Sequence, residues 1–253
     1  GSVSYVPPNF ITNSYFIMQP KGERMRVVGA KLSAVIFDMD GLMLDTEAIY
    51  QIVWRNVGKA LGFHMSDELL YATLGRPAHD CYRLLLESHG PDFPLTAFRS
   101  DCAEHWDSHT STHGIAHKPG LLDLLDWLDA HGIPKAVATS TAYTKAVATL
   151  QTAGIADRFQ IIVTGDQIEH GKPAPDIFLA AAQKLGVDPH CCIALEDSEA
   201  GVIAASSAGM YTIMVPDIKQ PTPEIEARAY RVLPSLHAVK ALLAEEWLPL
   251  LAQ

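Results

Sequence analysis

The sequence predicts an α/β fold, a mostly parallel sheet covered by helices on both faces, with an all-helical segment inserted after the first strand. Three observations carry this. A bulky apolar run, Ala34-Val35-Ile36-Phe37, ends in two carboxylates, Asp38 and Asp40. Residues 47–114 then show helical periods with no convincing strand between them. From Lys118-Pro119-Gly120 onward, helix-like and strand-like segments alternate in a regular way, the pattern of repeated αβ units.

The elements follow in order. The run 34–37 is rich in β-branched residues and suits a strand buried on both faces. Asp38 and Asp40 leave the same face of an extended segment, and Gly41 lets the chain turn sharply. Residues 47–61 place Ile49, Ile52, Val53, Val57 and Leu61 at helical spacing, with Asp45 or Thr46 as a cap and Gly62 as a stop. Three further helices are expected at 67–73, 79–89 and 95–109, separated by the Gly75-Arg76-Pro77 and Gly90-Pro91 turns. Helices are then expected at 121–131, 143–153, 175–185 and 199–208, and strands at 134–138, 161–163, 191–195 and 211–215. A final amphipathic helix is expected over 235–251. This divides the chain into a core (32–46 and 115–253), a helical cap (47–114) and a loosely ordered N-terminal extension (1–31) that begins with what reads as a cloning remnant, Gly1-Ser2.

With 253 residues, 48% of them hydrophobic, the chain can bury a sizeable core. A formal net charge of -10 without clustered Lys and Arg excludes a nucleic-acid backbone as the main partner. One small phosphorylated metabolite is compatible with it, since such a site needs only a few local cations and a metal. No apolar run reaches the ~18 residues of a membrane-spanning helix, so no membrane partner is expected. The cysteines Cys81, Cys102, Cys191 and Cys192 form no CxxC pair and are expected as thiols in a reducing cytoplasm. A monomer is the default.

In a parallel sheet every strand's carboxyl end lies on one edge, where ligands of such folds bind. That edge collects Asp38 and Asp40, Thr139-Ser140-Thr141, Gly165-Asp166 and Glu196-Asp197-Ser198, joined by Lys172 from the Gly171-Lys172-Pro173 loop. Carboxylates at this density need a cation, and a hard oxygen-bound Mg2+ is the natural neutraliser. Zinc is disfavoured by the absence of outward His or Cys there. With a lysine and hydroxyls beside it, the set also suits phosphate. His105, His109, His113 and His117 recur every fourth residue, but Gly114 interrupts them, so a solvated face or hinge is expected rather than a metal stripe.

Asp38-Met39-Asp40-Gly41 with Asp45-Thr46-Glu47, Thr139, Gly171-Lys172-Pro173-Ala174-Pro175-Asp176, and Leu195-Glu196-Asp197-Ser198 with Gly201 resemble the four ordered motifs of the haloacid dehalogenase superfamily. Within it the chain is most similar to the β-phosphoglucomutase-like phosphatases, whose fold is a Rossmann-like core with an inserted helical cap. The resemblance implies an aspartyl-phosphate at Asp38, with Asp40 as general acid and base and its backbone carbonyl on Mg2+. It also implies Thr139 on a phosphoryl oxygen, Lys172 neutralising the nucleophile, and Asp38, Glu196 and Asp197 as metal-binding carboxylates. Ser140 and the cap residues Tyr50, Arg76 and His79 are candidates for contact with substrate.

The expected activity is Mg2+-dependent hydrolysis of a sugar phosphate or nucleoside monophosphate. A mutase of this resemblance carries a His where Tyr50 stands and a Lys-Asn pair where Ala142 and Tyr143 stand. A phosphonatase needs an early cap lysine, whereas Lys59 comes late in its helix. A haloacid dehalogenase does not need Asp40. A phosphometabolite-binding module without turnover is the alternative from another class.

Overall fold

The structure, a computed structural model, describes residues 32–247. The N-terminal extension and the end of the last expected helix lie outside the described residues. Six strands form one sheet in the order β3-β2-β1-β4-β5-β6: β1 (Ala34–Phe37), β2 (Lys135–Thr139), β3 (Ile161–Thr164), β4 (Cys192–Glu196), β5 (Tyr211–Met214) and β6 (Arg231–Val232). All pairings are parallel. The α/β, Rossmann-like expectation therefore holds, and all strand ends share one edge.

Strand alternation sets the two faces. Val35, Phe37, Val137, Ile193 and Leu195 point into the larger core. Ala34, Ile36, Ala136, Ala138, Cys192 and Ala194 point the other way, against α7 (Asp176–Leu185) and α8 (Glu199–Ser207). That second face is small-residue on both sides, with Ala181, Ala182, Ala204 and Ala205 on the helices. Both faces are apolar, so the inner strands read as continuous hydrophobic runs rather than alternating ones.

Four helices follow β1 as a layer of their own: α1 (Thr46–Ala60), α2 (Asp67–Thr73), α3 (Ala78–His89) and α4 (Leu95–His113). Their own packing is aromatic. Trp54 meets Phe98 edge-on at 5.3 Å between centroids, and Phe93 sits against both Phe63 and Phe98. The chain enters and leaves this layer side by side: Asp45 N–H donates to Ala116 O at 2.9 Å, and Lys118 N–H to Met43 O at 2.8 Å. α4 runs four residues past the expected end, through His113, because Thr110 and Thr112 turn their hydroxyls back onto carbonyls of the preceding turn. His109 and His113 therefore share a helix, while His117 lies beyond Gly114 and binds Ala153 O at 2.7 Å.

The remaining helices are α5 (Leu121–Ala130), α6 (Tyr143–Thr152), α9 (Pro223–Arg228) and α10 (Leu236–Glu246). α9 and the two-residue β6 have no counterpart in the sequence expectation. Thr222 caps α9 through its side chain and Pro223 opens it, local signals too short for a periodic reading. Among the described residues no helix is long and apolar enough to cross a membrane.

Candidate active site

β1 delivers Asp38 directly beyond its last residue, and β4 ends on Glu196 one strand away. Lys172 reaches between them. Its Nζ donates to Asp38 Oδ1 at 2.6 Å, to Glu196 Oε1 at 2.5 Å and to Ala138 O at 3.1 Å. Asp38 is 6% exposed and Glu196 fully buried. Glu196 Oε2 accepts from Ser198 Oγ at 3.2 Å and from Asp197 N–H at 3.2 Å. Ser198 Oγ in turn accepts from Gly201 N–H, capping α8.

Three carboxyls thus face a single ammonium. Carboxyl oxygens of Asp38, Glu196 and Asp197 lie within 4.8 Å of one another. Burial, and then the neighbouring Glu196, push the Asp38 carboxyl up to about 8 against the pull of Lys172. Asp197 is driven well above the ordinary range by burial and by Asp38 and Glu196. For Lys172 burial acts downward, but Asp38 and Glu196 together outweigh it and hold the ammonium charged. The surplus negative charge and the all-oxygen donor set fit a hard divalent cation. Asp40 stands apart from this trio. Its Oδ2 accepts from Thr141 Oγ1 at 2.8 Å and from Thr139 Oγ1 at 3.5 Å, which turns the carboxyl toward the β2 strand end rather than into the trio.

Two glycines set the fit. A Cβ on Gly201 would lie 1.9 Å from the Glu196 carboxyl carbon, and one on Gly41, where φ is +84°, would lie 2.3 Å from Asp197 Oδ2. Glu196 is held by Lys172 and Ser198 and cannot swing away. Gly201→Ala should therefore cost about 1–3 kcal/mol of stability through overpacking and lower turnover by about 10–100-fold through the displaced Glu196 carboxyl. Thermal melts and steady-state rates on the same preparation check both.

Asp38, Asp197 and Asp40 open into a chamber of about 720 Å³ between the sheet edge and α1 to α4, with Glu196 buried behind them. Of the expected substrate residues, Tyr50, Arg76, Thr139, Ser140 and Lys172 line it. His79 does not. Its ring is 80% exposed beside Asp80 and faces only a smaller cleft of about 310 Å³ shared with Arg76, Asp197 and Asp217. Asp166 takes a structural part, accepting from Tyr143 N–H and Thr164 Oγ1.

Sequence reading placed Thr141 and Glu47 in its motifs without giving either a role, and it missed Lys145 altogether. Thr141 holds Asp40, and its place two residues after Thr139 was the available signal. Glu47 lines the chamber, pushed up to about 7 by burial and then by Asp40, Asp217 and Asp45. Lys145, on the first turn of α6, donates to Tyr50 Oη at 2.7 Å and lies 4.7 and 4.6 Å from the ring centroids of Tyr50 and Trp106. No local pattern marks Lys145, because its partners come from the inserted helices.

Known proteins resemble the chain in sequence and in fold. The chain is 32% identical over 212 residues to a phosphorylated carbohydrates phosphatase of Thermotoga maritima, covering 84% of this chain and 90% of that protein. It is 33% identical to the fructose-1-phosphate phosphatase YqaB of Escherichia coli, covering 73% of this chain and 97% of the relative. The crystal structure of CbbY from Rhodobacter sphaeroides in complex with phosphate superposes with a TM-score of 0.72 at 28% identity, over 88% of this chain and all of that one. The sequence profile of the haloacid dehalogenase-like hydrolases matches residues 35–215, a span that holds Asp38, Asp40, Thr139, Lys172, Glu196 and Asp197, and the chain belongs to that family, in its β-phosphoglucomutase-like subgroup.

Proposed function

We propose that this phosphoric monoester hydrolase is a Mg2+-dependent phosphatase of small phosphorylated metabolites, sugar phosphates or nucleoside monophosphates, working in the cytoplasm. The observation that carries it is the meeting of Asp38, Lys172, Glu196 and Asp197 beneath a chamber that also presents the Asp40 carboxyl. The relatives named above act on phosphorylated carbohydrates and fructose 1-phosphate, which supports this substrate range.

An Asp38 oxygen attacks phosphorus, an O–P bond to Asp38 forms, and the P–O bond to the leaving alcohol breaks. Asp40 gives the departing oxygen its proton, then takes one from the water that attacks the same phosphorus, releasing phosphate and restoring Asp38. Thr141 fixes the Asp40 carboxyl for both transfers. Lys172 holds Asp38 in place and offsets charge on the transferring group, and Thr139, with Ser140 beside it on the chamber wall, would take a phosphoryl oxygen. Mg2+, held by Asp38, Glu196, Asp197 and the Asp40 carbonyl, would stabilise negative charge on the phosphoryl oxygens.

The four helices would act as a cap, with 47–114 as its extent and the paired crossings at Asp45 and Lys118 as its hinge, closing to exclude water. Gly75 already approaches Ser198, where a Cβ would come within 3.2 Å. A mutase would need an acid or base from this cap near the sugar. Tyr50, standing where the mutase's His would be, is no base at neutral pH, since burial and then Asp40 and Glu47 hold its phenol well above the ordinary value.

Phosphate release from p-nitrophenyl phosphate and from a panel of sugar and nucleoside phosphates tests the reading. Release should require Mg2+ and stop with chelator. Because the metal-free site holds Asp38 protonated up to about 8, Mg2+ binding at pH 7 should expel protons, and its apparent affinity should rise from pH 6 towards 8. No release from any substrate with any divalent cation would sink the enzyme reading. Release unaffected by chelator would sink the metal.

A further inference from the structure

The chamber carries both signs of charge. Asp38, Asp40 and Asp197 line it beside the sheet edge and Glu47 from α1, and Arg76, Arg99 and Lys145 line it as well. Elsewhere the basic side chains of this acidic protein commonly find carboxylates: Arg55 with Asp67, Lys118 with Asp217, Arg158 with Asp126 and Asp129, Arg231 with Glu246. Arg76, Arg99 and Lys145 form no ion pair among the described residues. Of the three, Lys145 and Arg99 stand against aromatic rings, Tyr50, Trp106 and Tyr82, that line the same chamber.

Their partners hold them in place without cancelling their charge. Lys145 Nζ donates to the Tyr50 hydroxyl and sits over the stacked Tyr50 and Trp106 rings, which are 4.5 Å apart. The Arg99 guanidinium lies 4.9 Å above the Tyr82 ring. Cation–π contacts fix the direction of a cation and leave it able to take an anion. Burial lowers the Lys145 pKa, and the more distant Asp40, Asp107 and Cys102 compensate only in part. A volume of about 720 Å³ also leaves room beyond a phosphoryl group for a ligand of metabolite size.

We propose that the preferred leaving group carries a second anionic group, a carboxylate or a second phosphate, seated by Lys145 and Arg99, which makes these residues determinants of substrate choice. The proposal rests on the phosphatase reading for its turnover test, but not for its binding test. An anion there supplies the counter-charge that the chain itself withholds, and it orients the substrate with its other phosphate at Asp38. Neutral polyol or hexose monophosphates would leave Lys145 and Arg99 on the chamber wall without a counter-ion.

Matched substrates separate the charge from the carbon frame: 6-phosphogluconate against glucitol 6-phosphate for a carboxylate, and fructose 1,6-bisphosphate against fructose 6-phosphate for a phosphate. In at least one pair the anionic member should have the higher kcat/KM by about tenfold or more. Lys145→Met should collapse that ratio by about tenfold, Arg99→Gln should reduce it independently, and Lys145→Arg should retain most of it. Calorimetric binding of the same compounds to the Asp38→Asn protein reads the preference without turnover. Tighter binding of the anionic member with no hydrolysis of anything supports the anion seat while refuting the phosphatase. Ratios near one in both pairs, or a ratio that Lys145→Met leaves unchanged, overturn the seat while the phosphatase stands.

Discussion

Asp38→Asn should lower turnover by at least about 10⁴-fold and leave the fold intact. The amide keeps the shape of the carboxyl and can still meet the Lys172 ammonium through its oxygen, but it cannot form a phosphoryl bond of the required kind. The thermal consequence runs the other way from most buried substitutions. In the metal-free protein Asp38 is one of three carboxyls competing for one ammonium, with its proton held up to about 8 by burial and Glu196. A raised carboxyl pKa contributes stability that is complete below the unfolded value and is lost as pH rises through the folded one. At pH above about 8 the native protein therefore carries an ionised, buried Asp38 that the variant lacks. The melting midpoint of metal-free Asp38→Asn should equal or exceed that of the parent there, and Mg2+ should raise the variant's midpoint less. A large fall in midpoint, or turnover near the parent rate, would contradict this account.

Lys172→Met should give the opposite pattern. Asp38, Glu196 and Asp197 would remain buried with no cation among them, and breaking such a pair by removing one partner costs roughly 3–5 kcal/mol. For a chain of this length that corresponds to a midpoint lower by roughly 10 °C. Mg2+ should recover a good part of it, since the dication then carries the whole neutralising load. Turnover should still fall by at least about 10³-fold with saturating Mg2+, because the metal cannot also take the place of Nζ at Asp38 Oδ1. Melting curves with and without Mg2+, beside rates on one substrate, separate the two effects. A variant as stable as the parent without metal would show that the lysine is not what balances the site.

Why these residues were readable in the chain follows from the parallel sheet. Ala34–Phe37 is buried on both faces, so it reads as an unbroken apolar run, and the first polar residue after it must lie on the open edge. The same argument places Thr139 and Glu196, each the last residue of its strand. Lys172 was legible through its motif, although it comes from a loop. What the sequence did not disclose depends on contacts between segments far apart in the chain. Lys145 meets Tyr50 across 95 positions, and Thr141 meets Asp40 across 101. His79 and Arg76 share one turn, yet only Arg76 reaches the main chamber, a difference fixed by how the inserted helices sit on the sheet edge. Short elements escaped for a local reason: two-residue β6 and six-residue α9 hold too few positions to show a period.

The central claim is that Asp38 itself bonds to phosphorus. Mixing the enzyme with Mg2+ and substrate, quenching in acid and reducing with borohydride converts an acyl phosphate to the alcohol, leaving homoserine in place of the aspartate. Peptide mass spectrometry should find homoserine at position 38 in substrate-treated protein and not in protein quenched without substrate. Homoserine at another aspartate, or none at position 38 in an enzyme that turns over and accumulates an acid-stable phosphoryl intermediate, would contradict the account.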